Sequence, residues 1–463
     1  MEKCSYHASY FDVKLGKSEI YYCTEETIPE SSYCIFHNKE YWKDHKHQVK
    51  ERFLNKLEES LKTNNLKAIG YELPFIDYHG KFPSELYLSE TTFHEGADFS
   101  HAEFQNGSIA NFDSATFFEV ADFSSSTFNG ESSFISAVFY KPNFDHVQFN
   151  SNVNFNAASF RSPATFRKAK FYMKAWFVGT FFLCTADFSR AEFSDEALFL
   201  NTFFLSSYDK NEDADIKQGI QEHHFNVDSE LSPIGPLFVL AQFCRPLKVV
   251  FDRVDLSRAS FLDSYNADKI RFYNIAWQKK GRRKILFEEE VFEKAKKNEY
   301  QQLCGNNVDL SHITMDDVLS VYRNLKDAYE REAKYDEAGE FFVSEMEFKR
   351  NYSPNGKKSF PLRVISLHSL YNLLSRYGES YNQTIFWMVV AILVFTAIRF
   401  IPQSGSPSLS ELDGYIWESI NAFFQNPIGS HTYTNLAERV VSLALMGVLF
   451  ISLKREFERK VRK

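Results

Sequence analysis

Cysteine is scarce in this sequence: six in 463 residues, spread over the chain, with no disulfide framework laid out. Neither sign of charge dominates. Fifty-three Lys and Arg stand against 61 Asp and Glu, a net charge of −8, which argues against a general nucleic-acid footprint. Catalytic signatures are missing as well, with no nucleophile elbow and no HExxH pair. The closest approach to a phosphate loop is Lys14-Leu15-Gly16-Lys17-Ser18, but Phe11 stands where its first glycine should be, and we reject a nucleotide site there. These absences point away from an enzyme. No secretory leader opens the sequence as given, so the bulk of the chain is expected to face a reducing cytoplasm.

Phenylalanine, by contrast, is abundant, at 48 residues. Between Ala97 and Phe204 one returns every five or six residues, with a single step of eight between Phe104 and Phe112, from Phe99 and Phe104 through Phe123, Phe128, Phe134, Phe139, Phe188 and Phe193 to Phe204. Two places ahead of each stands a small or uncharged residue, alanine at thirteen of twenty positions. Helical stripes need steps of three and four and strands a step of two, so this rhythm fits neither. It fits a chain that turns a corner at every repeat, with four sides making a coil of about 21 or 22 residues and the phenylalanines pointing inward.

Runs such as ADFSHAEF (97 to 104), ADFSSSTF (121 to 128) and ADFSRAEF (186 to 193) resemble the pentapeptide-repeat family in its phenylalanine-centred form. The resemblance implies a right-handed quadrilateral β-helix over about a quarter of the chain, and it implies no single activity. The expected fold class is therefore multidomain: this solenoid, then an α-helical segment and two transmembrane helices with a short re-entrant or pore-like helix between them.

Residues 1 to 40 read as a metal module. Cys34-x-x-His37 lets two ligands point into one site from a tight turn, and Cys4 and Cys23 can complete a tetrahedron, with zinc as the expected structural ion and His7 in reserve. Similar CxxH-ended modules occur in some membrane-linked members of the family. Residues 41 to 85 read as a helical connector and cap, with Val49, Phe53, Leu54, Leu57 and Leu61 at helix spacing; His45 and His47 lie on its solvated face. The repeats are expected over 86 to 205, an acidic insertion containing His223 and His224 over 206 to 236, and the last coils over 237 to 280, closed by Trp277.

Helical spacing takes over in 281 to 382. Val321, Leu325, Ala328 and Tyr329 line one helix, and Ala338, Phe341, Phe342, Met346 and Phe348 the next, a pair that resembles a single tetratricopeptide-like hairpin. An amphipathic helix from Leu362 to Tyr377 then approaches the membrane. Two apolar stretches, 384 to 401 and 436 to 453, are each about 18 residues, or about 27 Å as helix, enough to span within a domain drawn as 383 to 453. Arg399, Glu438 and Arg439 lie near their ends, where they are expected to reach the interface. The tail 454 to 463 holds six basic residues in ten, which places both termini in the cytoplasm by the positive-inside rule.

Between the spans, Ser410-x-x-Asp413 reads as a helix start and Pro427 as a stop around GYIWESINAFFQ, whose pore-helix candidates are Trp417, Glu418, Asn421, Phe424 and Gln425. The last hundred residues are similar to the channel-like carboxyl domain attached to some pentapeptide-repeat proteins. The run after the helix, Gln425 to Ser430, departs from the carbonyl-rich filter of potassium channels. Two functions remain open: an oligomeric ion-channel-like pore, a tetramer most simply, and a membrane-anchored scaffold whose solenoid binds a protein. A third, mimicry of DNA, finds only twelve acids against seven bases between 93 and 205. No nucleic-acid partner is expected.

Overall fold

The computed structural model describes residues 2–12, 15–106, 109–204, 235–281, 283–295, 312–354, 356–400, 412–426 and 433–462. The insertion with His223 and His224, together with Ser410, Pro427 and the rest of the filter-like run to Ser430, lies outside the described residues. Two compact units divide the chain, Met1–Ala328 and Tyr329–Lys463.

The first unit is built on a parallel β-solenoid. Short strands of two to seven residues stack in register on four sides, and one side carries nine strands in a single ladder, from Asn65–Lys67 to Arg271–Tyr273. Coils repeat at 21 to 22 residues through the regular part, so that Phe123 stacks on Phe144, Phe144 on Phe166 and Phe166 on Phe188, with ring centroids 4.8 to 5.0 Å apart. Neighbouring columns meet edge to face, as in Phe144 against Phe155 at 86°. Parallel stacking within a column and perpendicular packing between columns both suit the ring quadrupole. Phe123, Phe128, Phe134, Phe139, Phe188 and Phe193 are all buried in this ladder.

Alanines in the inward position before each phenylalanine are buried too, and at three of the positions where a hydroxyl replaces them a coil carbonyl satisfies it. Ser126 donates to Phe123 O (2.7 Å), Thr180 to Phe155 O (2.8 Å) and Thr202 to Phe177 O (2.6 Å). On two of the four sides the second residue after the phenylalanine turns the corner with positive φ, as at Ser125, His146, Ala157, Lys168 and Gly179.

The coil starts earlier than its phenylalanine rhythm. Asn65–Lys67 already pairs with Glu85–Tyr87, and Leu66, Leu73, Ile76, Leu86 and Leu88 fill the core, so the solenoid runs through the region read as a connector up to residue 85. Leucine and isoleucine fill the same inward positions without repeating the signature. The ladder also crosses the insertion: Phe238 stacks on Phe188 (5.2 Å) and Phe243 on Phe193 (5.6 Å).

Both ends are covered. Helix α1 (Lys46–Thr63) lays Val49, Phe53 and Leu57 over the first coils. At the other end Trp277 packs edge-on to Phe272, and helix α2 (Phe287–Ala295) follows, its Glu288 accepting from Ser260 Oγ and Phe261 N, both at 2.9 Å. Helix α3 (Met315–Arg331) closes the first unit and contributes the first residues of the second.

In the second unit, Tyr329 at the end of α3 stacks on Phe341 of α4 (Tyr335–Asn351). The stretch read as one amphipathic helix is two, α5 (Phe360–Val364) and α6 (Leu367–Ser375), because Ser366 caps α6 by accepting from Ser369 N at 3.1 Å. Helices α7 (Tyr381–Phe400) and α9 (Tyr433–Arg462) pack on each other, with α8 (Leu412–Phe423) against both. Within α7 and α9, the segments Tyr381–Phe400 and Tyr433–Glu458 are long and apolar enough to cross a membrane. Their side chains such as Phe386, Val389, Leu393, Leu436, Val440 and Phe450 point away from the unit.

Candidate functional site

Strands β1 (His7–Asp12) and β2 (Lys17–Tyr22) form an antiparallel hairpin, and the rejected Gly-Lys-Ser run ends its turn and begins β2, with Gly16 N donating to Asp12 O. The hairpin brings its flanks together: Cys23 N donates to Tyr6 O (3.1 Å) and Cys4 N to Glu25 O (2.9 Å). The third and fourth ligand candidates come from the tight turn in which His37 N donates to Cys34 O (3.2 Å).

As a result Cys4, Cys23, Cys34 and His37 are all buried, and their donor atoms all lie within 4.8 Å of one another. Cys23 Sγ and Cys34 Sγ are 3.8 Å apart, Cys4 Sγ and His37 Nδ1 3.6 Å, and Cys34 Sγ and His37 Nδ1 3.3 Å. These four residues are close enough to hold one metal ion. His7 is exposed and turned to Ser5 O instead, and His45 and His47 stay on the surface of the helix region.

The surroundings prepare the site. His37 Nε2–H donates to Ile69 O (2.9 Å), which fixes the tautomer and leaves Nδ1 facing the sulfurs. Tyr6 stacks on the imidazole at 3.8 Å and Tyr71 meets it edge-on. Gly70, at φ +69°, makes room for this wall, since a Cβ there would fall 1.9 Å from the Tyr6 hydroxyl. The hydrogen bond from Cys34 draws the Cys23 thiol well below its ordinary range, with His37 adding to the effect, while that bond and burial push Cys34 up. Glu72 N also donates to Phe36 O (2.7 Å), so the ligand turn is tied directly to the first solenoid coil.

A second cluster lies among the three helices of the membrane-type domain. Arg399 of α7 donates to Glu438 Oε2 (2.6 Å) and Asn435 Oδ1 (2.7 Å) of α9. The Ser419 hydroxyl of α8 lies against Glu438 Oε1 and against Ile392 O (3.1 Å), halfway along α7. Arg399 and Glu438 therefore do not reach outward to an interface: each meets the other's charge inside the helix packing. Arg439 donates to Asn426 O at 2.6 Å.

Of the pore-helix candidates, Trp417, Phe424 and Gln425 are exposed and Glu418 and Asn421 half-buried. Gln425 donates to Arg439 O (3.1 Å) and Ser442 Oγ (2.7 Å), and Asn421 Oδ1 accepts from Asn426 (3.0 Å). Ser419, missed in the sequence, joins α8 to both α7 and α9. An acid and a base inside apolar stretches were the available signal for this cluster.

No family model matches the chain, and no solved structure matches it. Among curated proteins it is similar to an uncharacterized protein of Methanocaldococcus jannaschii, 27% identical over 240 residues, which are 48% of this chain and 50% of that protein. The matched part spans about half the length of that relative.

Proposed function

We propose that the protein is a membrane-embedded member of the pentapeptide-repeat family that acts as an oligomeric ion-channel-like pore, with the solenoid as its cytoplasmic docking or sensing domain. The observation that carries this reading is Ser419. It fastens a third, short helix to the middle of α7 and to the buried Glu438, a construction that a two-helix anchor does not need. Two spans per chain cannot enclose a pore, so conduction requires several copies, four in the simplest arrangement. Both termini lie in the cytoplasm on this reading, since the basic tail follows the second span.

The resident ion of the Cys3His site is zinc. Bonds of about 2.3 Å to sulfur and about 2.0 Å to nitrogen in a tetrahedron put the donors about 3.5 to 3.8 Å apart, close to the spacings above. Its role is structural: four protein ligands leave no open position for chemistry, and the ion pins the hairpin onto the first coil. No enzymatic activity is proposed.

The alternative, a membrane-anchored scaffold, draws on one outer side of the solenoid. There Trp42 and His94 stack at 4.1 Å, His94 and Phe118 follow at 5.8 Å, Phe118 meets Tyr140 at 5.3 Å, and the Arg161 guanidinium covers Tyr140. Such a row offers a protein partner a flat aromatic strip. The subunit mass of the full chain in mild detergent separates the readings: a ring of copies supports the pore, and a stable monomer leaves only the scaffold.

A further inference from the structure

Residues 356–400 hold more exposed apolar surface than an aqueous face accounts for. Ile365 and Leu367, at the break between α5 and α6, are 82% and 84% exposed, and Phe360, Leu362, Leu370 and Leu373 are exposed beside them. The end of α6 is fastened to the start of the first span. Trp387 Nε1 and Gln383 Nε2 both donate to Leu373 O at 2.6 Å, and Thr384 Oγ1 donates to Leu374 O at 3.1 Å. If α7 crosses a bilayer, these bonds hold α6 at its surface, where an indole such as Trp387 favours the headgroup level.

Between α5, α6 and the end of α4 runs an open groove of about 800 Å³, lined by Arg350 and Arg363 and by Phe360, Leu367, Leu370 and Leu373. Arg350 is paired with Glu347 (2.6 Å), whereas Arg363 has no acidic partner among the described residues and lies beside the Phe360 ring. The Nε atoms of both arginines are buried without a hydrogen-bond acceptor among the described residues. Glu347 is already occupied by Arg350, Asn372 and Tyr377, so among the described residues the groove offers no unengaged carboxylate to an ammonium headgroup.

We infer that the groove binds one anionic phospholipid of the leaflet from which the chain enters the first span. The phosphate sits on Arg363 and Arg350, whose guanidinium forks match its oxygens, and an acyl chain runs along Leu367, Leu370 and Leu373. Basic, apolar-walled recesses at the cytoplasmic edge of spans are suited to such lipids. The inference rests on insertion of α7 in a bilayer and not on conduction.

The test uses the full chain, first shown to stay in membranes after an alkaline wash, then purified in a nonionic detergent and incubated with phosphatidylglycerol or phosphatidylcholine. Native mass spectrometry counts the lipids retained. Phosphatidylglycerol is expected to be retained in preference, Arg363→Gln to lower that retention about fivefold, and Arg190→Gln, on the solenoid surface, to leave it unchanged. Arg363→Lys is expected to fall between, and glycerol phosphate added in excess to displace no lipid. Equal retention of the two lipids, wild-type retention by Arg363→Gln, or displacement by glycerol phosphate overturns the proposal. Loss of the chain from washed membranes instead removes the membrane reading itself.

Discussion

Arg399 and Glu438 form a salt bridge of 2.6 Å whose side chains are only 5% and 0% exposed. Each comes from a different candidate span, and the carboxylate is shared with Ser419 of the short helix between them. A charge removed from such a pair leaves the other stranded in a low-dielectric setting, which costs more than the intact pair contributes. We therefore expect Arg399→Met or Glu438→Met alone to destabilise the second unit by about 3 kcal/mol or more, and the double variant to recover most of that loss. Thermal unfolding in detergent reads both, and single and double variants unfolding alike contradicts the coupling.

Cys34→Ser is expected to reduce bound zinc in the purified full chain to background, and chelation of the wild type to lower its thermal midpoint, because the ion joins the hairpin to the solenoid. Metal analysis that finds the same zinc content in both proteins contradicts the site. His7→Ala serves as the control and is expected to keep the ion.

The fold was legible where one chemistry repeats. Twenty phenylalanines at steps of five and six, apart from one step of eight after Phe104, describe the coils through Phe204, but the first coils use Leu66, Leu73 and Leu86, which do not repeat that signature. Cys34-x-x-His37 was legible because its ligands are local, while Cys4 and Cys23 depended on a hairpin that sequence spacing does not display. The Arg399–Glu438 pair was read as two interfacial charges: 39 residues separate them, and only the packing of α7 on α9 makes them partners.

Burial pushes Glu288 up to about 7 from 4.5, and its Oε2 has no hydrogen-bond partner among the described residues, as suits a protonated carboxyl. Since the folded state holds the proton more tightly, this group's contribution is complete below pH 4.5 and declines as pH rises to about 7. The gap corresponds to about 3 kcal/mol. Glu288→Gln is expected to flatten the pH dependence of solenoid unfolding across that window; an unchanged slope contradicts the assignment.

Two glycines separate backbone strain from crowding. Gly179 has φ +64° with open space where a Cβ would go, so Gly179→Ala is expected to cost about 1 kcal/mol. Gly96 has φ +88° and its Cβ would stand 2.3 Å from Val120 O in the next coil, so Gly96→Ala is expected to cost distinctly more. Denaturant unfolding compares them, and equal losses contradict the close coil contact.

Phe144, fully buried between Phe123 and Phe166, is expected to cost about 3 to 5 kcal/mol on change to alanine. Phe118, on the outer aromatic row, is expected to stay within about 0.5 kcal/mol.

Cation flux into sealed liposomes carrying the full chain tests the pore most directly. The account predicts uptake that grows with the amount of reconstituted protein and falls in the Arg399→Met and Glu438→Met variants. Uptake no faster than into empty liposomes, with intact and correctly inserted protein present, contradicts it.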